Sequence, residues 1–264
     1  VKDGKYWMPV EGNTTILYPK KWYYNESSKP RTLKNFVDLF YSTIGQNATF
    51  LLGLSINPDG TIPERDVKSM IAQKKQIDIE LATNLAAGIE ITSSNSRGKR
   101  RFGSSKAIDG STDTYWATSD NIQKASITLG FGKETAFNRL MLQEYIQLGQ
   151  RNHKFVLEVE TNDGGKEVAH GTTIGYKRIL RFEDVKTSRA KITLETDAPA
   201  LTLANLEIFD APPLLEEPKI DSDTYGKVNI SSNDDLDIFY ALGKTPLDSD
   251  YQQYLAPVNL PQGG

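Results

Sequence analysis

"FVLEVE", residues 155–160, sets Phe155, Leu157 and Val159 on one parity and Val156, Glu158 and Glu160 on the other. A period of two puts one set on each face of a strand, so a row of large apolar side chains meets a core while the glutamates meet water. The same alternation recurs at 89–93, 126–129, 139–143, 177–182, 191–195 and 206–209, with turn residues between the runs. In 191–194, for example, Ile192 and Leu194 share a face. Short alternating runs over roughly a hundred residues predict an antiparallel β-sandwich or jelly roll across 86–211.

Ahead of this region the period changes. Leu33, Phe36, Val37, Phe40, Tyr41 and Ile44 keep helical spacing, with Thr32 placed as N-cap and Gly45 as the stop. Phe50-Leu51-Leu52-Gly53-Leu54 is short and continuously apolar, which predicts a strand buried on both faces. A turn at Asn57-Pro58-Asp59-Gly60 follows, and Pro63 opens a second helical stretch carrying Val67, Met70 and Ile71. Helix, buried strand, turn, helix is α/β grammar. One or two such units cannot close a barrel of eight, so a barrel here is expected to be only its end.

Downstream, Pro212-Pro213 and Glu216-Glu217-Pro218 read as a linker at 212–218, and 219–264 reads as an incomplete β-domain. A chain of 264 residues can hold two cores. Its 31 basic and 34 acidic residues nearly balance, and the basic cluster Arg97, Lys99, Arg100, Arg101 is short, so no nucleic-acid partner is expected. Cysteine is absent, which excludes disulfides, zinc–thiolate sites and thiol catalysis. Two histidines, His153 and His170, leave little room for a nucleophile–histidine triad. No apolar run approaches spanning length, so no membrane insertion is expected, and the first residues carry no signal-peptide pattern.

"KAIDGSTDTYWAT", residues 106–118, crowds acidic and hydroxyl side chains around Gly110 before two aromatics. An EF-hand loop needs its glycine sixth; counted from Asp109 it comes second. Two readings of the loop stand: a site where oxygen ligands hold a cation, or an Asx turn in which Asp109 bonds its own backbone. Tyr115 and Trp116 place two large rings at one end of the core.

Together with "RLMLQEYIQLGQR" (139–151) and "VAHGTTIGYKRILRF" (168–182), that loop resembles the discoidin-type (coagulation factor 5/8 C) module appended to bacterial α-L-fucosidases. Upstream, "WMPVEGNTTI" (7–16), "KKWYYNE" (20–26), "LKNFVDLFYSTIGQNATFLLGL" (33–54) and "PDGTIPERDV" (58–67) resemble the end of a glycoside hydrolase family 29 barrel. That family's usual pattern has asparagine where Gly53 stands. The tail from Ile238, "IFYALGKTPLDSDYQQYLAPVNLPQGG", resembles the opening of a chitobiase-type C-terminal domain. The resemblance therefore implies a multidomain chain: the end of a catalytic (β/α)8-barrel at 1–85, a galactose-binding-like jelly roll at 86–211, the linker, and the start of a further β-domain.

The resemblance also implies an activity. It points to a retaining α-L-fucosidase acting on fucosylated glycans, periplasmic or secreted, with no catalytic cofactor. Retention needs two carboxyls about 5 Å apart, one to attack and one to assist departure. The nucleophile is expected upstream of Val1, which makes the remainder of the barrel a partner and this chain inactive alone. Glu11 is expected at the barrel mouth as a sugar contact or acid/base assistant, against a plain surface turn. Trp7 and Trp22 are expected as stacking platforms, against simple core burial, and Arg151 as a sugar contact, against a solvated face. A structural calcium ion would take the Asp109 and Thr114 side chains, the Lys106 carbonyl and Glu207. The competing classes are a free-standing carbohydrate-binding protein and an adhesion module, in neither of which would 1–80 have a partner. The short connection at 81–88 predicts direct packing of the module on the barrel, with 147–151 bordering the substrate cleft.

Overall fold

The computed structural model describes residues 10–18, 21–98, 100–214, 218–224, 226–232, 237–243, 246–247 and 250–259. Contacts divide the chain into two compact units, Val1–Pro212 and Pro213–Gly264.

The first unit opens with strand β1 (Glu11–Thr15), the short antiparallel pair β2 (Leu17–Tyr18) and β3 (Lys29–Pro30), and helix α1 (Leu33–Ser42). The Thr32 hydroxyl accepts from the Asn35 amide, the N-cap its position predicts. The helix ends at Thr43, two residues before the expected stop at Gly45. Strand β4 (Thr49–Gly53) then lies parallel to β1, with Glu11 opposite Thr49 and Thr15 opposite Gly53. Helix α2 (Glu64–Glu80) follows, with Glu64 and Asp66 in its first turn, where acidic side chains suit the helix dipole. One face of this α/β layer is a core of Ile16, Leu17 and Phe36, packed by Leu39, Leu52, Leu54 and Met70. The expected burial of β4 on both faces does not hold: Leu51 is 49% exposed. Leu52 and Leu54 point at the helices, while Leu51 points to the side where no described layer covers it.

The larger part of this unit is a six-stranded antiparallel sheet in the order β12-β7-β10-β8-β9, with β5 (Glu90–Ser93) also on β7. Its strands are β7 (Lys124–Gln143), β8 (Asn152–Thr161), β9 (Gly164–Gly171), β10 (Arg178–Thr196) and β12 (Asn205–Phe209). A separate two-residue pair joins β6 (Trp116–Ala117) to β11 (Thr202–Leu203). The runs 126–129 and 139–143 belong to one strand, and so do 177–182 and 191–195. A straight strand of β7's length would run about 66 Å. Yet Ile127 and Leu129 from one half share a single core with Phe137, Leu140 and Leu142 from the other. The sheet therefore folds over on itself, and the β7–β10 register slips between Arg181 and Val185 and again between Thr187 and Arg189 to allow the bend. Trp116 is fully buried in this core, and its indole nitrogen donates to the Asn95 carbonyl and the Ser96 hydroxyl. It is a core residue, as an aromatic with a satisfied polar handle commonly is.

In the second unit β13 (Lys219–Ser222), β14 (Lys227–Ser231) and β17 (Val258–Asn259) form one antiparallel sheet, and β15 (Phe239–Tyr240) pairs with β16 (Gln252–Gln253). Among the described residues no helix is long and apolar enough to cross a membrane.

Candidate functional site

Side chains alternate across β1 and β4, which fixes what each face carries. A Cβ on Gly12 would meet Thr43 of the helix cap, and Ile16 packs on Phe36, so this parity faces the helices. Glu11, Asn13 and Thr15 therefore face the other way, beside Thr49, Leu51 and Gly53. In a parallel α/β layer that is the face turned from the helices, and ligands gather at the carboxyl ends of its strands.

At that end stands Trp22. Its ring lies against Gly53: a Cβ there would come within 3.0 and 3.2 Å of two ring carbons. The ring remains 46% exposed, and Tyr23 beside it is 86% exposed. The loop carrying them is held from both sides. The Thr15 hydroxyl donates to the Lys21 carbonyl at 2.6 Å, and Arg65 of α2 donates to the carbonyls of Glu26 and Asn25 at 2.6 and 2.8 Å. Arg65 also lies over the Tyr24 ring. At the same end, Arg31 donates to the Thr15 carbonyl, the Thr14 hydroxyl and the Asn35 side chain, tying β1 to the start of α1. Trp22 is thus half exposed on a loop held from both sides. Gly53, Thr15 and Arg65 were not among the expected site residues; the aromatic run Trp22-Tyr23-Tyr24 was the signal for this loop.

Glu11 lies elsewhere. It opens β1, four residues and about 13 Å along the strand from the level of Gly53, so it sits at the amino end of the layer and not at the mouth. Trp7 lies outside the described residues. The loop at 147–151 also keeps company with the amino end. Ile146, Gly149 and Gln150 line a cavity of about 730 Å³ with Val10, Thr49 and Phe50. The expected border with a substrate cleft is therefore a border with the opposite end of the strands.

Arg151 lines a separate cavity of about 280 Å³ with Arg97, Phe102, Tyr115, Asp120 and Thr202. Its guanidinium donates to the carbonyls of Leu148 and Ala200. Tyr115 stacks on Tyr145 with centroids 4.2 Å apart, so one of its faces is already used. Beneath this loop Glu144 is buried. It accepts from the amides of Arg151, Asn152 and Gly175 and from the Asn152 side chain, at 2.7 to 2.9 Å. Burial pushes its carboxyl up, and those four donors offset part of the effect.

In the 106–118 loop the Asx turn is present: Asp109 accepts from the Ser111 amide at 3.1 Å. Its other oxygen takes the Thr114 hydroxyl at 2.7 Å and the Lys106 ammonium at 3.1 Å. Partial burial pushes this carboxyl up, but the Thr114, Ser111 and Lys106 donors outweigh it and hold it below its ordinary value. Glu207 accepts from Asn205 at 2.7 Å. Among the described residues no three His, Cys, Asp or Glu side chains are grouped so that they could hold a metal ion together.

Residues 90–203 match the F5/8 type C domain family. Alpha-L-fucosidase 1 of Arabidopsis thaliana is 32% identical over 191 residues, covering 71% of this chain and 37% of that protein. Over that span this chain resembles part of an α-L-fucosidase. Solved structures agree. A GH29 fucosidase of Ruminococcus gnavus in complex with fucose superposes with a TM-score of 0.75 at 28% identity, covering 80% of this chain and 43% of that one. A glycoside hydrolase 29 family member from an unknown rumen bacterium gives 0.65 at 26% identity, over 90% of this chain and 41% of that one. The chain spans little more than a third of the length of the curated fucosidases it matches.

Proposed function

We propose that this chain is the C-terminal portion of a retaining α-L-fucosidase that removes α-L-fucose from glycans. In this reading 1–85 closes the catalytic barrel and the folded sheet is its appended carbohydrate-binding-like module. One observation carries it: the fucosidase match runs over 191 residues, well beyond the module at 90–203. A free-standing binding or adhesion module would give no reason for an α/β layer with a parallel strand pair and an aromatic loop at its carboxyl end.

The chemistry needs a nucleophilic carboxylate and a second carboxyl that protonates the leaving oxygen. Two strands cannot enclose a site that eight build, so those groups belong to the remainder of the barrel. With Glu11 at the amino end, neither duty falls to it. This chain supplies Trp22, a flat apolar surface at the rim suited to a sugar ring. The complete polypeptide should hydrolyse a fucosylated oligosaccharide, with NMR showing the α-anomer of fucose first, while the 264-residue chain alone turns over nothing. Glycan binding without hydrolysis by the complete polypeptide would sink the reading.

Calcium belongs to the same proposal as a structural ion. The oxygen donors of the 106–118 loop suit it: the Asp109 and Thr114 side chains and the Lys106 carbonyl, with Glu207 from β12. The ion would supply the counter-charge that the Lys106 ammonium gives Asp109 in the structure.

A further inference from the structure

The cavity of about 730 Å³ at the amino end of β1 and β4 has walls of two kinds. Ile44 and Phe50 of the α/β layer and Ile146 of the folded sheet give it apolar surface, while Asn47, Gln150, Tyr176 and Lys177 bring polar groups to it. Most of those polar groups are uncommitted. Asn47 accepts from the Tyr176 amide through its side-chain oxygen, but its nitrogen donates to nothing among the described residues. The Gln150 amide, the Tyr176 hydroxyl and the Lys177 ammonium make no hydrogen bond or ion pair there either. The Tyr176 side chain is 61% exposed and pairs with no other described ring.

Lys177 is the informative member. It is half-buried, yet among the described residues no carboxylate pairs with it and no Asp or Glu lines the cavity. A cation drawn partly out of water has lost solvation that no counter-charge here returns. An apolar ligand would leave that loss in place, whereas an anion would offset it.

We propose that this cavity binds an acidic sugar unit of a glycan, with its carboxylate at Lys177, the C–H face of its ring on Tyr176 and its hydroxyls at the Asn47 and Gln150 amides. The choice of a saccharide rests on the fucosidase reading above. The walls suit it: a sugar ring has an apolar face and a polar edge, and the cavity sets aromatic and aliphatic surface beside amides that orient hydroxyls.

The test titrates the complete polypeptide by calorimetry with two probes that lack fucose, sialyllactose and lactose. Sialyllactose should bind roughly tenfold or more tightly than lactose, the size of one hydrogen bond to a charged group. Lys177→Gln should erase that preference, and Lys177→Arg, which keeps the charge, should retain it. Tyr176→Ala should weaken both probes about tenfold, the size of one aromatic contact, and the exposed ring can be removed without opening the core. No binding of either probe, equal affinity for both, or a preference that survives Lys177→Gln would each overturn the proposal. So would loss of binding in Arg151→Ala with Tyr176→Ala unaffected, which would put the sugar in the cavity of about 280 Å³ instead. Hydrolysis is read separately on an aryl α-L-fucoside. Its absence would remove the fucosidase reading and leave the binding result to stand, whereas hydrolysis without sialyllactose binding would remove only this inference.

Discussion

At the scale of single residues, Glu144 shows how a charge is kept in an apolar end of the sheet. Four donors converge on its two oxygens, three of them on one. Removing the carboxylate leaves buried amides without acceptors, and each such amide costs about 1–3 kcal/mol. Glu144→Ala should therefore lower stability by about 3 kcal/mol or more, measured from the urea midpoint. The pH response has a definite sign. Because burial raises the folded carboxyl above its unfolded value, the stability it lends is fully present below the unfolded value and is lost as pH rises through the folded one. Glu144→Gln should flatten that part of the stability profile; an unchanged profile would show that another group titrates. The motif "LQEYIQLGQR" marked this place in the sequence, but not why. The partners at Asn152 and Gly175 are set by strand pairing that no local pattern announces.

Among the elements, legibility followed side-chain contrast. Strands with clean alternation, such as β8 and β12, stand where the period places them, within a few residues at their ends. The edge strand β9 went unread because Gly-Gly-Lys-Glu offers no apolar parity. The long strands β7 and β10 read as four short ones, since the polar residues at their bends look like turns until a shared core shows otherwise. Loops were harder still: Gly53 looked like a departure from pattern until Trp22 was seen lying on it. The 106–118 loop poses its own question at this scale. If calcium binds there, chelator should lower the melting temperature and Asp109→Ala should abolish the difference. Coincident melting curves with and without chelator would leave the Asx turn and the Lys106 pair as the loop's whole structure. Without the ion, stability should fall as pH drops through the depressed Asp109 value, since that carboxylate favours the folded state only while ionised.

Across the whole first unit, the α/β layer and the folded sheet are joined by a buried polar cluster and not by a tether. Tyr41 of α1 donates to Glu80 of α2 at 2.6 Å, and Arg139 of β7 reaches both, donating to the Tyr41 oxygen at 3.1 Å and standing 3.4 Å from Glu80. Arg181 of β10 lies over the Tyr41 ring, 4.4 Å from its centroid, and pairs with Asp38. Burial and the adjoining Glu80 both push the phenol up, so Tyr41 stays a donor throughout the accessible pH range. Main-chain bonds reinforce the seam: the Ile179 amide donates to Gly45, and the Tyr176 amide to the Asn47 side chain. Gly175 has a positive φ, and a Cβ there would strike the Asn47 side chain, which packs directly on the Gly175 backbone. Taking the sheet away would strip the Arg139 guanidinium from Tyr41 and Glu80 and expose the side of the α/β layer that this seam covers. If the proposed function holds, deleting 86–264 from the complete polypeptide should therefore leave an insoluble or markedly less heat-stable remainder, seen as a lower Tm and loss of hydrolysis of every fucoside. A remainder that keeps its Tm and its aryl-fucoside hydrolysis, losing only large glycans, would mean that the sheet delivers substrate and that this seam adds nothing to the stability of the α/β layer.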